Sequence, residues 1–315
     1  MGKDDKPSRP VYFCLTLAPC HVATLSLISQ TLGNFPRAML TAVAMGTACA
    51  VLSVIVVLRR WAFIGEGISH AGFGGIGTGW LLSLAFPIFG HAGAAYAVAV
   101  LFCLAVALCI GYVTRERSVA KPFGADSAIG IFLVASLAWG FVALAIYKQH
   151  HPNASEDLWE KYLFGSISDI SVDTMLASVA VSTAVVFAVA ALFKEILCYA
   201  FDPLMAQVSG VRVALIHYLL MLLLAMTIVI GMRIAGNVLV TALLILPGTT
   251  ALVLSRQLKH VMTIAVVAGV IGSGGGVAMN HHWGFIPTGP AIVLVLFGEF
   301  LLAYGFSRLP RRHAA

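Results

Sequence analysis

Long apolar runs separated by short polar breaks lay out this chain. From Ala38 to Leu58 the sequence is almost wholly apolar and stops at Arg59-Arg60. Further runs follow at about 62–89, 92–113, 126–147, 172–193, 213–232, 236–254, 261–279 and 289–306. Each approaches the roughly 20 residues that a helix needs to cross the hydrocarbon core. An earlier stretch, residues 11–33, is interrupted by Pro19, His21 and Gln30, and either crosses or lies in the interface. Two breaks stand apart. Within residues 148–171, Tyr162-Leu163-Phe164-Gly165-Ser166 is too short to span and reads as a re-entrant or interfacial piece. Within residues 194–212, Asp202 is a good helix cap, Pro203 suits the first helical position and Gly210 suits the stop, so a short helix is expected at about 203–209.

The fold class that follows is an all-α polytopic membrane protein. The expected total is eight transmembrane helices, or nine with residues 11–33, together with the short inner helix and the re-entrant segment. Composition supports this: 60% of the 315 residues are hydrophobic and only 10% are charged, and the mean hydropathy is +0.97. A soluble domain carries about 25% charged residues. A β-barrel would show short alternating segments instead. The six cysteines lie in or beside apolar runs without a CxxC pair, which fits buried small side chains better than a disulfide framework or zinc knot. No cleavable leader is expected, because the run after Lys3, Lys6 and Arg9 lacks a clear small-residue cleavage site.

The formal charge of +6 is an orientation signal rather than a nucleic-acid footprint. With Arg308, Arg311 and Arg312 placed inside, alternation puts Arg256, Lys259, Lys194, Arg212, Arg115, Arg117, Lys121, Arg59 and Arg60 inside too, and Lys3, Lys6 and Arg9 if residues 11–33 cross. Only Arg37, Lys148, Lys161 and Arg233 fall outside. Both ends of the chain are therefore expected inside.

Against this apolar background one pair carries chemistry. Glu66 and His70 are four residues apart, so they share a helix face, and a carboxylate with an imidazole can hold one divalent metal ion. Ionisable groups within a membrane span are costly and mark substrate paths. Gly65, Gly67, Ser69, Ala71, Gly72, Gly74, Gly75 and Gly77 surround them and allow close helix approach. Two other polar residues are secondary candidates for the path, Glu299 in the last span and Asn237 at a span start. The histidines at 91, 150, 151, 281 and 282 map to outer loops or span ends and read as solvated. The helix at 203–209 is either a plain connector or a docking element for a cytosolic partner.

The chain also resembles a known family. Val57-Leu58-Arg59-Arg60 with Gly65-Glu66-Gly67-Ile68-Ser69-His70, Ala128-Ile129-Gly130-Ile131, Tyr162-Leu163-Phe164-Gly165, Asp202 with Ala206 and Gly210, Gly236 to Ala251 (GNVLVTALLILPGTTA) and Pro287-Thr288-Gly289-Pro290 are similar to segments of the ABC-3 permeases, in the family's order. These are the membrane subunits of ATP-binding cassette importers for zinc, manganese or iron. The resemblance implies a dimer of permeases, homomeric or mixed, in a bacterial cytoplasmic membrane. It implies an extracytoplasmic metal-binding protein that delivers a divalent transition metal as substrate, and no permanent cofactor. It implies cytosolic ATPase subunits docked at Asp202, Met205, Ala206 and Gly210, with Glu66 and His70 on the metal. The family usually has Asp where this chain has Glu66, a departure that keeps the carboxylate and adds one methylene.

No G-x-x-x-x-G-K-[ST] phosphate loop is present, so ATP hydrolysis is expected in a separate subunit and this chain is expected not to be an enzyme. Two readings compete with the importer subunit. One is a secondary transporter acting without an ATPase, for which no inverted repeat is evident. The other is an intramembrane hydrolase, which lacks a complete ligand set. The expected division is an N-terminal segment at 1–36, the permease domain at 37–308 and a cytoplasmic tail at 309–315.

Overall fold

The computed structural model describes residues 34–86, 92–114, 125–150 and 171–308. Among these, all regular structure is helical. The helices are α1 (Asn34–Leu58), α2 (Ile64–Ala85), α3 (Ala92–Thr114), α4 (Ala125–His150), α5 (Val172–Ala191), α6 (Phe193–Phe201), α7 (Pro203–Val208), α8 (Val213–Leu254), α9 (Leu258–Trp283) and α10 (Thr288–Arg308).

Seven of the described helices are long and apolar enough to cross a bilayer: α1, α3, α4, α5, the first half of α8 (Val213–Ile234), α9 and α10. Helix α2 also has spanning length at 22 residues, but glycines and polar side chains dilute its apolar character. The second half of α8, Val238–Leu254, is apolar and shorter. The segments 11–33 and 162–166 lie outside the described residues. The expected total of eight or nine needs correcting on its own terms. The apolar runs between Arg37 and Arg308 already number nine, so adding residues 11–33 makes ten, and only an even total leaves both ends on one side.

The break inside α8 has a clear cause. Gly236 has φ 78° and ψ 172°, a conformation open essentially to glycine alone. Beyond it the chain doubles back. A Cβ built on Gly231 would lie 2.6 Å from Cγ2 of Val240, whereas nine residues along a straight helix cover about 13 Å. Pro247 lies inside the second half, eleven residues past the only non-helical backbone angles that the segment contains, and makes no break of its own.

Helix α2 is enclosed by α3, α4 and both halves of α8. Its glycines make this possible. A Cβ on Gly75 would fall 2.6 Å from the Ala99 Cα of α3, and one on Gly77 would fall 2.8 Å from the Ala143 Cβ of α4. Small residues at such contacts drive helix association where lipid removes the hydrophobic term. The glycine run in α9 behaves the same way: a Cβ on Gly276 would meet the backbone nitrogen of Ile292 in α10 at 2.5 Å. On the periphery, Leu101, Ile131, Phe141, Phe187 and Leu302 are exposed. In a bilayer such faces meet acyl chains, and their exposure needs no further partner.

Candidate functional site

Helix α2 begins directly after the α1–α2 turn, with Ile64 N–H donating to Trp61 O at 2.9 Å. Glu66 therefore sits in its first turn and His70 one turn further on. The helical spacing brings His70 Nε2 to 3.0 Å from Glu66 Oε1. The other carboxylate oxygen, Oε2, accepts from the Thr241 hydroxyl at 3.0 Å. Thr241 lies on the returning half of α8, delivered to α2 by the reversal at Gly236. Gly65 provides the approach, because a Cβ there would stand 3.3 Å from Leu244 Cδ1.

The pair occupies the part of α2 that its neighbours leave partly open. The Glu66 side chain is 35% exposed and that of His70 is 17% exposed. In a singly protonated imidazole, Nε2–H donates to the carboxylate, which can only accept, so Nδ1 carries a bare lone pair. Nδ1 is buried and has no hydrogen-bond partner among the described residues. The ring stacks over Phe73, with centroids 5.8 Å apart. The arrangement is a carboxylate, a borderline nitrogen donor and a hydroxyl in one place, with a ligand position left unused.

The remaining candidates separate from this centre. Both carboxylate oxygens of Glu299 are buried without a hydrogen-bond partner among the described residues, so Glu299 is not bonded to the pair. The side chain of Asn237 lies outside the described residues. Among the described residues, no group of three or more His, Cys, Asp and Glu side chains gathers as a metal cluster. His150 and His282 are exposed, His281 stacks on Phe35 with centroids 4.3 Å apart, and positions 91 and 151 are not described.

The short helix expected at about 203–209 is present as α7, Pro203–Val208. The Asp202 carboxylate accepts from Leu204 N–H at 2.9 Å and Met205 N–H at 3.1 Å. At the other end Gly210, at φ 83°, completes a paired stop: its N–H donates to Gln207 O, and Val211 N–H donates to Ala206 O. Ala206 is fully buried. Leu204, Met205 and Val208 are exposed, Val208 to 84%.

Two features escaped the sequence reading. One is Thr241, whose partner is 175 positions away. The other is a cluster of Arg59, Trp61, Tyr199 and His217 below the α2 start. The signal available for it was one aromatic, basic or histidine residue at each of several span ends.

The comparisons with known proteins agree with this architecture. The chain is 33% identical over 271 residues to the manganese transport system membrane protein MntC of Halalkalibacterium halodurans, covering 86% of each chain. It is 32% identical over 273 residues to a probable iron transport system membrane protein of Haemophilus influenzae, covering 87% of this chain and 93% of that one. Among solved structures, PsaBC from Streptococcus pneumoniae in complex with Fab superposes with a TM-score of 0.70 at 28% identity, covering 90% of this chain and 95% of that one. Residues 32–307 match the ABC 3 transport family, and the chain belongs to that family.

Proposed function

We propose that this chain is the membrane-spanning permease subunit of an ATP-binding cassette importer for a divalent transition metal. The observation that carries the reading is the convergence of Thr241, from α8, on Glu66 and His70 of the glycine-packed helix α2. An Oε1–Nε2 separation of 3.0 Å suits two ligands on one ion at about 2.1 Å each, subtending roughly a right angle. That bite fits the octahedral preference of manganese, with water or a second permease copy completing the shell. For the ring to bind through Nε2, that nitrogen must give up its proton. Manganese is the metal to test first, since manganese transport proteins are among the relatives, followed by ferrous iron and zinc.

The partners in this reading are a pair of cytosolic ATPases, a metal-binding protein on the outer side and a second permease copy. Helix α7 supports the ATPase contact, because it combines firm caps with exposed apolar side chains in a polar break. The same feature disfavours a secondary transporter, which has no use for such a surface. The membrane is the bacterial cytoplasmic membrane, with the C-terminus inside by the distribution of Lys and Arg. Counting ten crossings, with residues 11–33 as the first, satisfies that distribution. Residues 1–36, 37–308 and 309–315 are leading segment, permease domain and tail. Glu299 and Asn237 remain secondary positions along the path.

The test is uptake of radioactive manganese(II) into vesicles containing the full complex. Uptake is expected only with ATP inside the compartment that the ATPases face and binding protein on the other side. Uptake of equal rate without either would sink the importer reading.

A further inference from the structure

The α1–α2 turn is built to aim one side chain inward. Arg60 holds φ 55°, the left-handed conformation that glycine normally fills at a helix stop. Arg60 N–H donates to Val57 O and Trp61 N–H donates to Val56 O, the paired bonds of such a stop. Trp61 is thereby buried at 3% exposure. Its ring stands 5.5 Å from that of His217, edge to face, and 6.4 Å from that of Tyr199. The Arg59 guanidinium lies 4.5 Å from the Tyr199 ring centroid and 5.3 Å from that of Trp61.

Hydrogen bonds tie the cluster to two more helices. His217 Nε2 is 2.8 Å from Gly111 O of α3, a carbonyl that can only accept, so Nε2 carries the proton. In the singly protonated ring Nδ1 then accepts the Tyr199 O–H, at 2.7 Å. Tyr199 is on α6, three residues before the Asp202 cap of α7, and His217 is on the first turns of α8. Their bond closes the base of the loop that carries α7. Trp61 packs on that closed base, and its carbonyl accepts the Ile64 N–H at the start of α2, two residues before Glu66.

We propose that Arg59, Trp61, Tyr199 and His217 are positioning residues that form the joint passing movement of α7 to α2, and so to the metal pair. The inference rests on the importer reading above. Ring contacts, a guanidinium stack and two buried hydrogen bonds link α6, α8, α3 and the α1–α2 turn without a flexible element between them. A movement of α7 that takes α6 with it must either carry Trp61 along or break the Tyr199–His217 bond.

The experiment measures manganese(II) uptake and ATP hydrolysis on the same vesicles of the full complex. Tyr199→Phe removes only the hydroxyl, Trp61→Leu removes the ring, and Trp61→Phe restores a ring. Tyr199→Phe and Trp61→Leu are expected to keep hydrolysis within about twofold while metal moved per ATP falls about fivefold or more, the ordinary size of a lost coupling. Trp61→Phe should recover most of that ratio. If Trp61→Leu fails to assemble, Tyr199→Phe decides alone. A ratio that stays at the wild-type value, whether uptake and hydrolysis are both intact or fall together, overturns the joint. Glu66→Gln run in parallel separates the two claims. If it transports like wild type, the metal-site reading has failed; if it is inactive while the ratio in Tyr199→Phe is unchanged, only the joint has.

Discussion

Helices α2 and α7 expose opposite kinds of side chain, and each is informative because of its surroundings. Helix α2 runs through the bundle with thirteen buried residues, and the polar side chains of Glu66 and His70 remain partly open. Helix α7 has six residues, of which only Ala206 is buried, and it leaves apolar side chains uncovered. An exposed leucine on the bundle periphery says nothing, since lipid covers it. The same exposure at Leu204, in a segment bracketed by charged and polar residues, supports the proposed contact with a protein surface. Likewise a Glu–His pair four residues apart would be an ordinary surface feature on α7. Within α2 it costs free energy that only a function or a firm partner offsets.

The sharpest way to break this contrast is to remove the polar half of α2. Glu66→Gln and His70→Ala should each abolish manganese uptake while protein level and binding of the ATPases stay unchanged. Wild-type uptake rates in both variants would reduce the pair to a structural hydrogen bond. The next largest effect belongs to α7. Ala206→Arg puts a long charged side chain into a fully buried position at the packed base of the helix. It should leave membrane insertion intact and lower metal uptake by tenfold or so with hydrolysis retained, a loss of the kind expected for broken coupling. Normal transport by this variant would make α7 a mere connector.

Smaller changes sharpen the contrast. Glu66→Asp shortens the carboxylate by one methylene and restores the residue usual at this position in the resembled family. Uptake should persist, with the preference between manganese and zinc shifted by a few-fold in competition assays. Complete loss would mean that the extra reach of Glu66 toward Thr241 is essential. The smallest effect concerns the turn before α2. Arg60→Gly relieves a left-handed conformation costing roughly 1–2 kcal/mol for a side-chain-bearing residue, offset by the extra chain entropy of glycine, about 0.5–1 kcal/mol. A slightly raised thermal midpoint with unchanged uptake is expected. A fall in uptake would give the Arg60 side chain a role of its own.

Much of both regions was legible in the chain, for local reasons. The i, i+4 spacing of Glu66 and His70 fixes their contact as soon as the segment is helical. Asp202, Pro203 and Gly210 specify the ends of α7 by caps that depend on a few neighbouring residues. What stayed hidden depends on how distant segments meet. Nothing near Thr241 marks it as a partner of Glu66; the reversal at Gly236 makes it one. Gly236 itself lies between two apolar runs, where a glycine also suits an ordinary loop. The Trp61–Tyr199–His217 contacts join three separate segments, and each residue alone looks like an interfacial aromatic or a lone histidine. The crossing total is a different case, since the nine apolar runs between Arg37 and Arg308 were already visible in the sequence.

The Thr241 bond has a kinetic side. The Glu66 carboxylate accepts from a hydroxyl and from an imidazole N–H, so in the proposed metal site cargo that leaves does not strand a bare charge in the bundle. The Thr241 hydroxyl is then an internal rival of the proposed metal. Each hydrogen bond to a charged group is worth about 1.5–3 kcal/mol, so displacing one lowers affinity by roughly 10- to 150-fold. A machine that must let go once per cycle gains turnover from such rivalry. A tighter resting grip, as in a Thr241→Val variant with no hydroxyl to compete, would hold the ion longer and move fewer of them.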